Sequence, residues 1–331
     1  MPRCAMIFAD KPSKGTSTDK DEELQEYQDL LKEKCHISAL AAQGDPRENP
    51  NYRNNPSLLI SYTPEGEEKS TKNVIIDVGK TFRETAIRWF PSKKVHFLDA
   101  VILTHEHADA VFGLDDIRGV QKFVLKEEDP PKKHRPQIPM PIFLSQDCLS
   151  KVAPQFKWLF PNHQPQTQAP PKNMNETKKV SRHVASLDVN VFESFKPFDA
   201  AGLKVIPLPI MHGEDLVSYG FAFSVGKTHI VYLSDISRML PETMEFIQKE
   251  LPPTDILVVD ALRPKGSHPV HFSMAQAIDL ANQLSPTRGT YLVGMSCDSF
   301  LPHKEQNEEL AKKYGEGKIQ LARDGLEIDC F

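Results

Sequence analysis

The residues of this chain with the greatest capacity for chemistry lie in one short run, Thr104-His-Glu-His-Ala-Asp109. Two imidazoles and a carboxylate, His105, His107 and Asp109, occupy alternate positions directly after an apolar stretch and before Gly113-Leu-Asp-Asp-Ile-Arg118. Side chains so spaced converge where a strand opens into a loop, and zinc, manganese and iron accept imidazole nitrogen with carboxylate oxygen. Alone, the run could equally be a solvated polar turn. Other apolar runs, however, end in the same residue types. Ile210 leads into Met211-His212-Gly213 and Leu233 into Ser234-Asp235. Val259 leads into Asp260, followed by Gly266-Ser-His268-Pro-Val-His271-Phe-Ser273. A lone His or Asp at a strand end is usually a cap, whereas this repetition is what one site drawn from many loops looks like.

Several elements that must position these residues are legible. Ser57–Tyr62 and Asn73–Asp77 read as strands around the turn-like Pro64-Glu-Gly-Glu-Glu, Thr81–Phe90 as a helix, and Asp99–Thr104 as a buried strand. In the second half Leu203–Ile210, His229–Leu233, Ile256–Val259 and Thr290–Val293 are expected strands, with Glu242–Leu251 and Ser273–Leu284 as helices. The last opens on a capping box, Ser273-x-x-Gln276, and carries Met274, Ala277, Ile278, Ala281 and Leu284 along one face. An N-terminal helix is expected within about 19–34, on Leu24, Tyr27, Leu30 and Leu31. Polar, Pro-broken loops are expected at about 126–140 and 161–188. No linker divides the chain convincingly, so one α/β domain over 1–331 is the expectation.

Apolar residues make up 39% and charged residues 26% of the 331 positions, a globular balance that can bury a core without cross-links. The five cysteines, Cys4, Cys35, Cys148, Cys297 and Cys330, are odd in number and contain no C-x-x-C. They point to a reducing compartment, cytoplasmic or nuclear, rather than a disulfide framework. No run approaches the ~20 apolar residues of a membrane span, and the N-terminal apolar run is too short for a signal peptide. A net charge of -5 argues against an extended nucleic-acid surface. It leaves room for a small phosphorylated substrate, which needs only a few cations. The oligomeric state stays open, a homodimer included.

Together with Asn55-Pro-Ser-Leu-Leu-Ile60, Val74-Ile-Ile-Asp-Val-Gly79 and Tyr232-Leu-Ser-Asp235, these motifs resemble the metallo-β-lactamase superfamily from about Arg53 to the C-terminus. The chain is most like the branch of the bacterial cyclic-phosphate phosphodiesterase of phosphonate breakdown, and more distantly like ribonuclease Z. The resemblance implies an αββα sandwich, two mixed β-sheets flanked by helices, with a metal centre at one edge. It puts His105, His107, His212 and a bridging Asp235 on one metal, with Asp77 as a supporting carboxylate behind a ligand imidazole. A second metal would draw on Asp109 and Asp235, but two imidazoles of the family pattern are missing. H-x-H-x-D-H ends here in Ala110, and the Thr-His pair after the last strand reads Val293-Gly294-Met-Ser-Cys297. One divalent metal per chain, zinc, manganese or iron, is therefore expected, and restoring imidazoles at 110 and 294 is expected to raise the count towards two. Relatives also carry a cysteine cluster that holds a structural zinc; of it Cys35 remains. A zinc shared with Cys297 and an ordinary buried thiol both stay open.

A metal of this kind brings the pKa of bound water from ~15.7 towards ~7. The resemblance casts Asp109 as general base and His271 as the group that protonates the leaving oxygen or neutralises phosphoryl charge. His268 is either its support or structural. Arg118 and Arg263 are candidates for an anionic substrate or for surface ion pairs, and the 126–138 loop for a flap at the mouth. Three functions remain open: a phosphodiesterase on a small cyclic or nucleotide-like phosphodiester, a hydrolase of thioesters or other esters, and a metal-binding protein with little or no catalysis.

Overall fold

Runs of three to nine residues, most of them rich in Val, Ile and Phe, form the strands, as expected of side chains that fill a pleated, buried surface. The computed structural model describes residues 35–64, 66, 70–123, 138–164, 184–297 and 300–330. The expected helix within 19–34, Cys4, most of the 126–138 flap and most of the 161–188 loop lie outside the described residues. The chain falls into two compact units, one formed by 55–207 and the other by 1–54 with 208–331.

In the first unit, Leu58–Tyr62 (β1) pairs antiparallel with Lys72–Ile76 (β2). Ala100–Ile102 (β3), Met140–Leu144 (β4) and Leu187–Val191 (β5) then add in parallel, in the order β1-β2-β3-β4-β5. Ile75, Val101, Leu103, Ile142 and Leu144 pack against Phe82, the first residue of Phe82–Trp89 (α1), and against Leu114, Ile117, Leu149, Val152 and Phe160. Each such burial removes about 1.5–3 kcal/mol of unfavourable hydration. Two shorter helices follow strand ends, Ala108–Val111 (α2) and Gln146–Val152 (α3), the latter capped by Ser145 Oγ accepting from Cys148 N. Phe198–Ala200 (β6) pairs antiparallel with the start of Leu203–Met211 (β7), the strand that carries the chain out of this unit.

The second unit continues from β7 through Val217–Val225 (β8), Thr228–Leu233 (β9), Pro241–Glu250 (α4), Ile256–Asp260 (β10), Met274–Leu284 (α5), Gly289–Val293 (β11), His303–Tyr314 (α6) and Ile319–Leu321 (β12). The strands lie in the order β12-β11-β10-β9-β8-β7. β9 to β12 run parallel and β8 and β9 antiparallel, so this sheet is mixed like the first. The protein is thus α/β, with two mixed sheets flanked by helices. The capping box at Ser273 forms in full, Gln276 N donating to Ser273 Oγ and Ser273 N to Gln276 Oε1. Among the described residues, no helix is long and apolar enough to cross a membrane.

Candidate metal centre

The first unit supplies the Thr104–Asp109 run, which leaves the end of β3 and is received by the turn Asp77-Val78-Gly79 at the end of β2. Val78 N donates to Ala110 O, Lys80 N to Ala108 O and Gly113 N to Val78 O. Asp77 adopts a left-handed backbone, φ 62°, which Asp tolerates better than most residues. Its carboxylate, 1% exposed, accepts from Thr104 N at 2.9 Å and from Thr104 Oγ1 at 2.8 Å. That hydroxyl lies 2.8 Å from His105 Nδ1.

The protonation of this chain can be worked out. A carboxylate only accepts, so the single hydroxyl proton of Thr104 goes to Asp77 and its oxygen must accept from His105 Nδ1–H. His105 is thereby held with its lone pair on Nε2, the tautomer a metal requires. His107 is exposed, its ring 4.6 Å from that of His105 and inclined at 75°. Glu106, between them, pairs with Lys151. Asp109 is half-buried in the first turn of α2. If Thr104 relays orientation from Asp77 to His105, Thr104→Val should weaken metal binding about 10- to 100-fold. Thr104→Ser should stay near wild type. Competition with a chromogenic chelator measures both, and equal affinities for the two variants would remove the relay from the account.

The second unit supplies a cluster of its own. His212 follows β7, Asp235 follows β9, and His271 stands in the loop leading to α5; each offers a ligand atom within 4.8 Å of the others. Both imidazoles have Nδ1 engaged. His212 Nδ1 lies 2.6 Å from Val270 O and His271 Nδ1 lies 2.6 Å from Asp260 Oδ2. The Val270 carbonyl can only accept, so His212 carries its proton on Nδ1 and presents the Nε2 lone pair; His271 does the same where Asp260 is ionised. The rings stand 4.9 Å apart at 71°. Gly213, at φ 87°, turns the chain after His212, and its N–H donates to Ser237 Oγ. Asp260 ends β10 inside the core. Burial pushes its carboxyl up to about 7, against the opposing pull of the His271 hydrogen bond. Two imidazoles and a carboxylate at this spacing suit a divalent metal, so the donor set fits the ion that the resemblance implies.

His268 takes a different part. Its Nδ1 accepts from Val270 N at 3.4 Å, which puts the ring proton on Nε2, and its ring lies 5.5 Å from that of His271. Partial burial, then the neighbouring His271 and Arg263, hold its pKa below the usual histidine value. Arg263 is half-buried and bridges to Ser273 through the backbone; Arg118 is exposed on the 3-10 helix Leu114–Val120. The two altered family positions are built into the fold. Ala110, 2% exposed, belongs to the apolar core of the first unit, and Gly294 adopts φ 73°. Cys35 Sγ contacts Ser38 Oγ at 3.1 Å and Cys297 O at 3.7 Å; Cys35, Cys148, Cys297 and Cys330 are all thiols. Sequence reasoning missed Thr104 as a relay and the Val270 carbonyl as an acceptor. It noted Asp260 only as a strand end, although an Asp closing an all-apolar buried strand is itself a signal.

A model of the beta-lactamase superfamily domain matches residues 72–294. The crystal structure of a new diphosphatase from the PhnP family is 28% identical, covers 87% of each chain and superposes with a TM-score of 0.60. Zn²⁺-bound PqqB from Methylobacterium extorquens is 16% identical, with 89% of this chain and 93% of that one covered and a TM-score of 0.59, a likeness of fold alone. Among curated proteins, an octanoyltransferase from Porphyromonas gingivalis (strain ATCC BAA-308 / W83) is 28% identical over 293 residues. The match takes in 88% of this chain and 47% of the relative, so the chain spans about half its length.

Proposed function

We propose that this chain, which belongs to the beta-lactamase superfamily, is a metal-dependent hydrolase that cleaves a P–O bond in a small cyclic or nucleotide-like phosphodiester. The observation that carries this reading is the likeness, over 87% of both chains, to a PhnP-family diphosphatase. A diphosphate and a phosphodiester pose the same problem, attack of water on phosphorus with departure of an oxygen. A divalent metal bound here supplies the activated water and neutralises phosphoryl charge. On the family pattern His105, His107, His212 and Asp235 hold that metal, in one copy per chain, as zinc, manganese or iron. Asp109 is the proposed base. His268, with its proton on Nε2, can hold that proton at the leaving oxygen, and Arg263 beside it can pair with a phosphoryl oxygen. The proposed location is cytoplasmic.

A second reading, a thioester or other ester hydrolase, is favoured by one feature. A hollow of about 320 Å³ has one apolar wall, Met239, Leu240, Met244, Phe272 and Leu280, and a polar one that includes Gln276, Asp279 and Gln283; Phe272 directly follows His271. An acyl chain would lie along the apolar wall, and the curated relative bears the name of an acyl-transferring enzyme.

The test is turnover by the metal-reconstituted protein on a 2′,3′-cyclic nucleotide, bis-p-nitrophenyl phosphate and an octanoyl thioester. The expected result is a kcat/KM for the cyclic phosphodiester at least 100-fold above that for the thioester. The reverse order would replace the first reading by the second. No turnover of any of the three, with metal bound, would leave a metal-binding protein without this activity.

A further inference from the structure

We infer that His271 is a ligand of the resident metal rather than a proton donor standing off from it. The inference rests on the metal-centre reading above. It departs from the family pattern, which supplies other imidazoles at the positions now occupied by Ala110 and Gly294.

Three observations carry it. His271 falls in one ligand cluster with His212 and Asp235, every ligand atom within 4.8 Å of the rest. Bonds of ~2.0–2.2 Å to a common centre leave ligands roughly 3–4.5 Å apart, so atoms within this bound need at most a small side-chain movement to close on a single ion. Second, His271 Nδ1 is engaged at 2.6 Å by Asp260 Oδ2, and the fully buried Asp260 stands at the end of a core strand. A carboxylate, an imidazole and a metal in line are the usual way a protein fixes a ligand ring and raises its basicity. Third, His212 is arranged on the same plan, its Nδ1 held by the Val270 carbonyl one residue before His271. One loop therefore sets the tautomer of one imidazole with its backbone and supplies the second imidazole itself.

The arrangement compensates for what the sequence lacks. With Ala110 and Gly294 unable to coordinate, His271 restores a nitrogen donor to the edge of the site that holds Asp235. It also reassigns the proton donor. A ring whose Nε2 is bonded to a metal has no proton to give, whereas His268, its proton on Nε2 and its ring 5.5 Å away, retains one.

The experiment is titration of zinc and of cobalt(II) into chelator-stripped protein, comparing wild type with His271→Ala, His271→Gln, Asp260→Asn and His212→Ala. Folding of each is checked by circular dichroism and thermal melting. The expected result is a zinc affinity at least 100-fold weaker for both His271 variants and about 10-fold weaker for Asp260→Asn. The intensity of the cobalt visible bands should change when His271 is lost, which a mere proton donor would not bring about. Unchanged affinity and spectrum in folded His271→Gln would overturn the inference alone, provided His212→Ala loses the metal. If His212→Ala also binds metal like wild type, the metal-centre reading fails with it.

Discussion

Gly79→Ala should be among the most damaging single-methyl additions this protein can suffer. A Cβ built at Gly79 would lie 2.5 Å from the carbonyl carbon of Asp109 and closer still to its oxygen. Both partners are backbone, so no rotamer change relieves the contact. The turn after β2 and the loop carrying His105, His107 and Asp109 must instead part. Parting them threatens the bonds from Val78 N to Ala110 O and from Lys80 N to Ala108 O, each worth about 1 kcal/mol, besides an overpacking cost of about 1–3 kcal/mol. A total of roughly 3–5 kcal/mol is a large share of the 5–15 kcal/mol that usually separates folded from unfolded. The expected result is a melting temperature lower by roughly 10 °C, with metal content reduced in whatever folds. Gly119→Ala is the control. It meets nothing within 4 Å and should stay within about 0.5 kcal/mol of wild type. A Gly79→Ala protein that melts with the control and holds its metal would show that the loop does not depend on this approach.

The same glycine shows what was and was not legible in the sequence. Val74-Ile-Ile-Asp-Val-Gly79 was recognisable as a strand and turn, but the need for glycine at its end arises from a loop thirty residues away. Strands with unbroken apolar runs, such as β9 and β10, were placed to within a residue because burial on both faces leaves that signature. Val217–Val225 was missed. Gly220 and the flanking Ser and Tyr residues break its hydrophobic pattern, yet the glycine is there because a Cβ would meet Tyr232 O at 2.7 Å on the neighbouring strand. Leu187–Val191, half-exposed and interspersed with Asp188 and Asn190, gave no strand signal either. His303–Tyr314 is polar nearly throughout, burying only His303, Gln306 and Leu310, so helical periodicity was invisible there. At the site, residues with ligand chemistry could be picked out by type and by their place at strand ends. Their supports could not. Thr104, Asp260 and the Val270 carbonyl act through single hydrogen bonds, and only the fold decides which acceptor faces which ring.

Ala110 and Gly294 bear on the same lesson. The expectation that imidazoles restored there would recruit a second metal took both as vacant ligand positions. Ala110 instead packs with Val78, Val111 and Leu114, where an imidazole must find volume at a cost of about 1–3 kcal/mol. Gly294 holds a left-handed conformation that costs other residues about 1–2 kcal/mol. The structure therefore makes the loss of these ligands hard to reverse by substitution.

Asp77→Asn should separate orientation from stability more cleanly than any other change at the site. Asn tolerates the left-handed backbone at φ 62° as Asp does and has the same shape, so the fold should be retained with a melting temperature within a few degrees of wild type. The protons cannot be retained. Asp77 accepts twice, from Thr104 N and from Thr104 Oγ1, and an amide has one accepting oxygen. If that oxygen stays on Thr104 N, the amide NH₂ faces the hydroxyl, which must then accept and turn its own proton towards His105 Nδ1. The ring is driven to carry its proton on Nε2, where the metal should bond. If the oxygen turns to the hydroxyl instead, two N–H groups face one another at Thr104 in a fully buried place. The first outcome removes the metal-binding tautomer of His105, and the second keeps it only at the cost of that clash. The expected result is a metal affinity lower by about 100-fold. Hydrolysis should fall by up to about 10⁴-fold, the scale on which a wrong histidine tautomer acts in other hydrolases. Nitrogen-15 shifts of the His105 imidazole in metal-stripped protein read the tautomer directly, Nδ1–H in wild type and Nε2–H in the variant. A variant that kept the wild-type shifts and affinity would mean that Asp77 supports the backbone of Thr104 and nothing beyond it.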